Sequence, residues 1–155
     1  MKVSQKGIDL IKKYEGCRLS AYKCPAGIWT IGYGHTLGVQ KGDIISQEDA
    51  ENFLIQDLVK FENLVNKYND RYAWTQNQFD ALVSFAYNIG NITGVTRAGT
   101  RNKTQIANAM LLYVRAAGKI LNGLVKRRQE EHDLFVSEDV PQETPKKKVT
   151  RKKKS

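Results

Sequence analysis

At 155 residues, 41% hydrophobic and 26% charged, the chain has room for one domain whose core needs no cross-links to fold. No run of apolar residues is long enough to cross a bilayer. The N-terminus MKVSQKGIDLIKKYEG lacks the uninterrupted apolar core of a signal peptide, so the reading expects a protein made and folded in the cytoplasm. The formal net charge of +9 favours polyanionic partners, and much of it sits in the last segment, PKKKVTRKKKS.

Taken in chain order, Ser4 followed by Ile8, Leu10, Ile11 and Tyr14 reads as a short N-capped amphipathic helix ending near Gly16. From Arg18 to His35 aromatic and β-branched residues are broken by Pro25-Ala26-Gly27, Gly32 and Gly34, which predicts a small hairpin or three-stranded sheet. Ser46 with Asp49 forms a capping-box signal for a long helix, with Ala50, Phe53, Leu54, Leu58, Phe61, Leu64 and Val65 on one face. Thr75 with Gln78 repeats the signal for a helix that Gly90 ends. Asn91 to Lys103 is polar and glycine-containing, and reads as a loop. Ile106, Ala109, Met110 and Tyr113 suggest a further helix. A last one spans about Asn122 to Phe135, with Leu124, Arg128, Glu131 and Phe135 at helical spacing. The order is helix, small sheet, then helices: an α+β fold of residues 1–136, followed by a linker and tail over 137–155. The like charges of the tail repel one another and bury nothing, so it is expected to be disordered.

Cys17 and Cys24 make no disulfide framework and are expected to be free thiols. His35 and His132 stand alone, without CxxC or HExxH, so neither a metal nor a cofactor is expected.

Glu15 sits at the C-terminal end of the first helix, where the negative end of the helix dipole disfavours a carboxylate and so suits a proton donor. A helix-end glutamate is, by itself, usually no more than a solvated side chain. The surrounding residues change that reading. YEGCRLSAYKCPAGIWTIGYGHT places Cys24 after Glu15 with eight residues between them, and Thr30 after Cys24 with five between. This closely resembles the signature of the phage-type lysozymes, glycoside hydrolase family 24, which reads E-G-x-R-L-x-x-Y-x-D-x-x-G-x-x-T-I-G-x-G-H. Arg18, Leu19, Tyr22, Gly27, Thr30, Ile31, Gly32, Gly34 and His35 all match. Phe85 to Gly90, FAYNIG, and Gly123 to Glu131, GLVKRRQEE, resemble two later motifs of that family in the same order.

The resemblance implies a lysozyme-like fold, mostly helical with a small β-lobe, and a groove between the lobes. It implies hydrolysis of the β-1,4 bond between N-acetylmuramic acid and N-acetylglucosamine in bacterial peptidoglycan. Glu15 matches the proton donor, and Thr30 the residue that helps hold the attacking water. Thr36 and Tyr87 match groove-lining positions. His35 reads as an imidazole that fixes the β-lobe to the helices. Arg127 and Arg128 look like the family's paired arginines, one of which approaches the acid, although a solvated arginine face reads about as well.

Two features depart from the family pattern. Cys24 stands where the family generally has Asp, which leaves three roles open: a thiolate nucleophile activated by Lys23 or Arg18, a near-spectator beside a Thr30-held water, or the mark of a chain that binds without cutting. A single carboxylate also leaves a lytic transglycosylase open as the alternative activity. The stretch from Asn91 to Gly118 is shorter than the family's and lacks its Trp, so no groove subsites carry over there.

The expected enzyme is a monomeric endolysin. Having no leader, it would need a holin to be released from the host cytoplasm onto the cell wall. The basic tail could engage anionic wall polymer, a membrane surface or nucleic acid.

Overall fold

The computed structural model describes residues 1–138, so the basic tail expected from Pro145 to Ser155 lies outside the described residues. Within them the chain runs α1 (Gln5–Glu15), β1 (Arg18–Lys23), β2 (Trp29–Gly32), α2 (Gln47–Asn66), α3 (Asn69–Tyr72), α4 (Gln76–Ile89), α5 (Thr93–Thr96), α6 (Lys103–Met110), β3 (Arg115–Ala116), β4 (Lys119–Ile120) and α7 (Asn122–Val136). This is the expected α+β order, helical with small antiparallel sheets.

α4 is the centre of the molecule. Phe79, Leu82, Val83, Phe85 and Ala86 are buried along it, and α1, α2 and α7 pack around it. Its start is set locally: Thr75 accepts from the Gln78 amide while Gln78 reaches back to Thr75, and Gly90 closes the helix in a left-handed conformation. Ser46 and Asp49 do the same for α2, whose Ala50, Leu54, Leu58 and Val65 face the core.

α1 is tied down differently from expectation. Ser4 does stand at its N-cap with extended backbone, but its side chain does not cap the helix. The Ser4 hydroxyl donates to the buried Asp80 carboxylate instead, and its amide donates to the same group at 2.9 Å. A long-range acceptor outcompetes the local one. α1 also crosses α4 closely, because a side chain at Gly7 would lie 2.9 Å from Asp80 Cβ.

β1 and β2 form the predicted hairpin, paired Arg18 to Gly32 and Tyr22 to Thr30 with an irregularity between. A third segment does lie along β1, but it comes from outside the predicted window. Ser20 bridges Ile44, with Ala21 N donating to Asp43 O and Ile45 N to Leu19 O at 2.9 Å each.

The region from Asn91 to Lys103 corrects the loop reading. It holds α5, with Val95 and Thr96 buried, and an Asn102–Gln105 capping box that starts α6 at Lys103. α6 ends at Met110, so Tyr113 lies beyond it, where its ring packs edge-on against Phe85 at 5.0 Å. The two-residue strands β3 and β4 that follow had no sequence signal. The two cysteines are both free.

Candidate active site

Glu15 is the last residue of α1. The chain leaves the helix through Gly16 at φ +68°, with the Gly16 amide donating to Lys12 O. This left-handed exit, which glycine adopts without strain, turns β1 away and leaves the Glu15 carboxylate at the surface of a cleft. On its inner side Arg127 Nη1 donates to Glu15 Oε2 at 2.8 Å.

Arg127 is itself held from below. Its Nε donates to Glu131 at 3.1 Å and its Nη2 to the Ser84 carbonyl at 3.0 Å, while Ser84 Oγ donates to Glu131 at 2.6 Å. Arg128 completes the set, donating to both Glu131 oxygens and to Tyr113 O, with its guanidinium 5.0 Å from the centre of the Phe85 ring. Arg127 is 3% exposed and Arg128, Glu131 and Ser84 are 0% exposed. The reading of these arginines as a solvated face is therefore corrected. They are a buried ion cluster, and its members satisfy one another.

Two hollows meet at Glu15. One, of about 310 Å³, lies toward the β-lobe and is lined by Glu15, Gly34, Thr36, Asp57, Phe61 and Tyr87 among others. The other, of about 330 Å³, lies toward α7 and is lined by Tyr14, Glu15, Asn88, Leu121, Leu124 and Arg127 among others. Glu15 is the residue they share. Gly34, at φ +97°, faces it across the first hollow; a Cβ there would come within 3.6 Å of Glu15 Oε1 and 3.4 Å of the Tyr87 hydroxyl. Tyr87 donates to Tyr33 O at 2.7 Å, and burial pushes its phenol well above the ordinary range.

His35 does not point into this space as a free group. Its Nδ1 pairs with Asp57 Oδ2 at 2.8 Å, its ring stacks on Phe53 at 4.1 Å, and its backbone pairs with Ile31. It thereby links the β-lobe to α2. Asp57 and Lys60 line the first hollow and were missed from the sequence. Asp57 could have been found, since it falls between Phe53 and Phe61 at four-residue spacing on a helix face already recognised.

Cys24, in the β1–β2 turn, and Thr30, in β2, form a separate group and line neither hollow at Glu15. The Cys24 amide donates to Ile28 O at 2.9 Å and the Gly27 amide to Cys24 O at 2.8 Å, which folds the turn around the sulfur. Backbone groups of Ile28 and Ala26, with the Thr30 hydroxyl, lower the thiol's pKa. Thr30 is 4% exposed, and its hydroxyl donates to Ile28 O at 2.9 Å. The cations expected to activate Cys24 are engaged elsewhere: Arg18 lies over the Tyr22 ring at 4.3 Å and Lys23 over Trp29 at 5.5 Å. The turn's own hydrogen bonds, rather than those cations, are what lower the thiol's pKa.

The arrangement is therefore a carboxyl group on an open cleft, a buried cationic support behind it, and a polarised thiol on the neighbouring hairpin. Residues 12–131 match the family model described as phage lysozyme. An endolysin of Acyrthosiphon pisum secondary endosymbiont phage 1 is 44% identical, over 88% of this chain and 99% of that protein. An endolysin of Bacillus phage B103 is 42% identical over 97% of this chain, but the chain spans only 61% of that longer protein. Among solved structures, the muramidase domain of SpmX from Asticaccaulis excentricus superposes with a TM-score of 0.76 at 38% identity, covering 88% of this chain and 99% of that one. The chain belongs to the phage lysozyme family and is a lysozyme-type glycoside hydrolase.

Proposed function

We propose that the protein hydrolyses the β-1,4 bond between N-acetylmuramic acid and N-acetylglucosamine of peptidoglycan, with Glu15 donating the proton to the leaving oxygen. The observation that carries this is the position of Glu15, which among the described residues is the one that lines both hollows. A glycan strand threaded through both would cross the chain at that carboxyl, with Thr36 and Tyr87 flanking it on one side and Asn88 and Leu124 on the other. Arg127 fixes the carboxyl's direction, as catalysis by proton transfer requires.

In this reading Cys24 works as a thiolate. As the Glu15 proton passes to the leaving sugar's oxygen and the glycosidic C–O bond breaks, the sulfur attacks the anomeric carbon. Water then displaces the sulfur and gives its proton to the Glu15 carboxylate, which restores both groups. The lowered thiol pKa supports this role; because Cys24 lines neither hollow at Glu15, the role requires the reacting sugar to reach the hairpin from the junction of the two. The protein would act on the wall as an endolysin, which agrees with what its relatives are called.

Comparing Cys24→Asp, Cys24→Ser and Cys24→Ala on cell-wall gels tests the thiolate. Clearing by Asp with loss in Ser and Ala is the expected outcome, and full activity in Ala would contradict it. Mass analysis of the fragments should show reducing ends; anhydro ends would mean transglycosylation.

A further inference from the structure

The core grips α1 only part of the way to Glu15. The buried residues of the helix are Gly7, Leu10 and Ile11, and the last of them stands four positions before the carboxyl. Just past Glu15 the chain is held by little: Gly16 is exposed, and a Cβ built on it would meet no atom within 4 Å. A helix end so placed frays unless side chains tie it down.

Three consecutive side chains make ties to α7. Lys13 Nζ donates to Glu130 Oε1 at 2.6 Å, the Tyr14 hydroxyl donates to the same oxygen, and Glu15 accepts from Arg127 at 2.8 Å. Lys13 is a weak tie, since its flexible side chain is 60% exposed and its ion pair is open to solvent. Tyr14 is half-buried, with a rigid ring that turns about two torsions only. That ring lines the second hollow beside Glu15, and the Arg127 guanidinium lies 5.8 Å from its centre. One side chain thus meets both the helix turn that carries Glu15 and the cation that aims it.

The Tyr14–Glu130 bond also keeps its sense. Burial and the Glu130 carboxylate push the phenol up to about 12, while Lys13 and Tyr14 hold the Glu130 carboxyl below the usual carboxylate range. The hydroxyl therefore keeps its proton, and the acceptor stays ionised until the pH falls through that lowered value.

We propose that Tyr14 is a positioning residue for the proton donor: its bond to Glu130 fastens the last turn of α1 to α7, and its ring keeps Arg127 in place. The Glu15 carboxyl then meets the glycosidic oxygen in one geometry. The proposal rests on the reading of Glu15 as the donor. Proton transfer tolerates little displacement, and a shift of about 1 Å can cost on the order of 100-fold in rate. Tyr14 acts through Glu15 and needs no contact with the reacting atoms.

The test is a pair of double-mutant cycles in the full chain, read as kcat and KM on soluble peptidoglycan fragments, with unfolding curves showing that each variant is folded. Tyr14→Phe keeps the ring and removes the hydroxyl, Glu130→Met removes the acceptor, and Glu130→Gln returns one. Tyr14→Phe and Glu130→Met should each lower kcat about tenfold with KM within about twofold, and together cost no more than either alone. Glu130→Gln should keep most of the parent kcat. In a chain already carrying Glu15→Gln, Tyr14→Phe should cost nothing further. Losses that multiply, a Tyr14→Phe kcat within about twofold of the parent, or a rise in KM alone would overturn the proposal, the last by making Tyr14 a contact to the glycan. A further tenfold loss in the Glu15→Gln chain would overturn it as well. Glu15→Gln with Tyr14 intact reports separately on the donor: parental kcat there would sink the donor reading itself, whatever the Tyr14 variants do.

Discussion

The buried support of Glu15 and the polar group on the hairpin are built by opposite means. Behind the Glu15 carboxyl, Arg127, Arg128, Glu131 and Ser84 come from α7 and α4, exclude water, and owe their places to the core. On the hairpin, Cys24 and Thr30 owe theirs to one tight turn, with Cys24 half-buried and its flanks exposed. The first arrangement makes the support inseparable from stability. The second lets the chemistry of position 24 change while the fold stays the same. A thiol standing where the family generally carries Asp fits that difference.

The largest effect should come from breaking the buried side. Arg127→Met leaves Glu15 without its cation and Glu131 with Arg128 alone, and removing one partner of a buried pair costs about 3–5 kcal/mol. Denaturant unfolding measures this; a loss under about 1 kcal/mol would show that the cluster is not the support described.

Gly34→Ala comes next and tests the junction itself. The left-handed backbone at φ +97° makes alanine cost about 1–3 kcal/mol, and the new methyl would stand in van der Waals contact with Glu15 and Tyr87, inside the first hollow. Activity should fall further than stability alone explains, measured as clearing rate at a temperature where the variant is folded.

The hairpin side should give the smallest effect on stability. Cys24→Ala should unfold within about 0.5 kcal/mol of the parent yet lose clearing activity. Its pH dependence sharpens the contrast. The depressed thiol pKa means the thiolate is populated above that value and lost as pH falls through it. Activity of the Cys24 protein should therefore decline on acidification before that of Cys24→Asp, whose carboxylate ionises at lower pH.

What could be read from the sequence follows the range of the interactions involved. The capping boxes at Ser46 and Thr75 were legible because partners three residues apart decide them. The equivalent pair Asn102–Gln105 was passed over because the polar stretch before it read as loop. Ser4 carried a simple N-cap signal and went to Asp80, 76 residues away, which no local pattern reveals. α5, at four residues, is too short to show a period. Glu15 stands out through its spacing to Cys24 and Thr30 and lies at the cleft, whereas the burial of Arg128 and the pairing of His35 with Asp57 depend on packing between elements. Glu131 and Arg128 had been placed on one helix face with Phe135, and that face is buried although two of its members are charged.

The most direct test of the account is the activity and stability of Glu15→Gln. The substitution keeps an oxygen for Arg127 to address and removes the acidic proton. The folded protein should remain, with wall clearing reduced by roughly 10²–10⁴-fold, the usual contribution of a positioned proton donor. Clearing within a few-fold of the parent, in a chain that unfolds at the same denaturant concentration, would contradict the assignment of Glu15 as the acid.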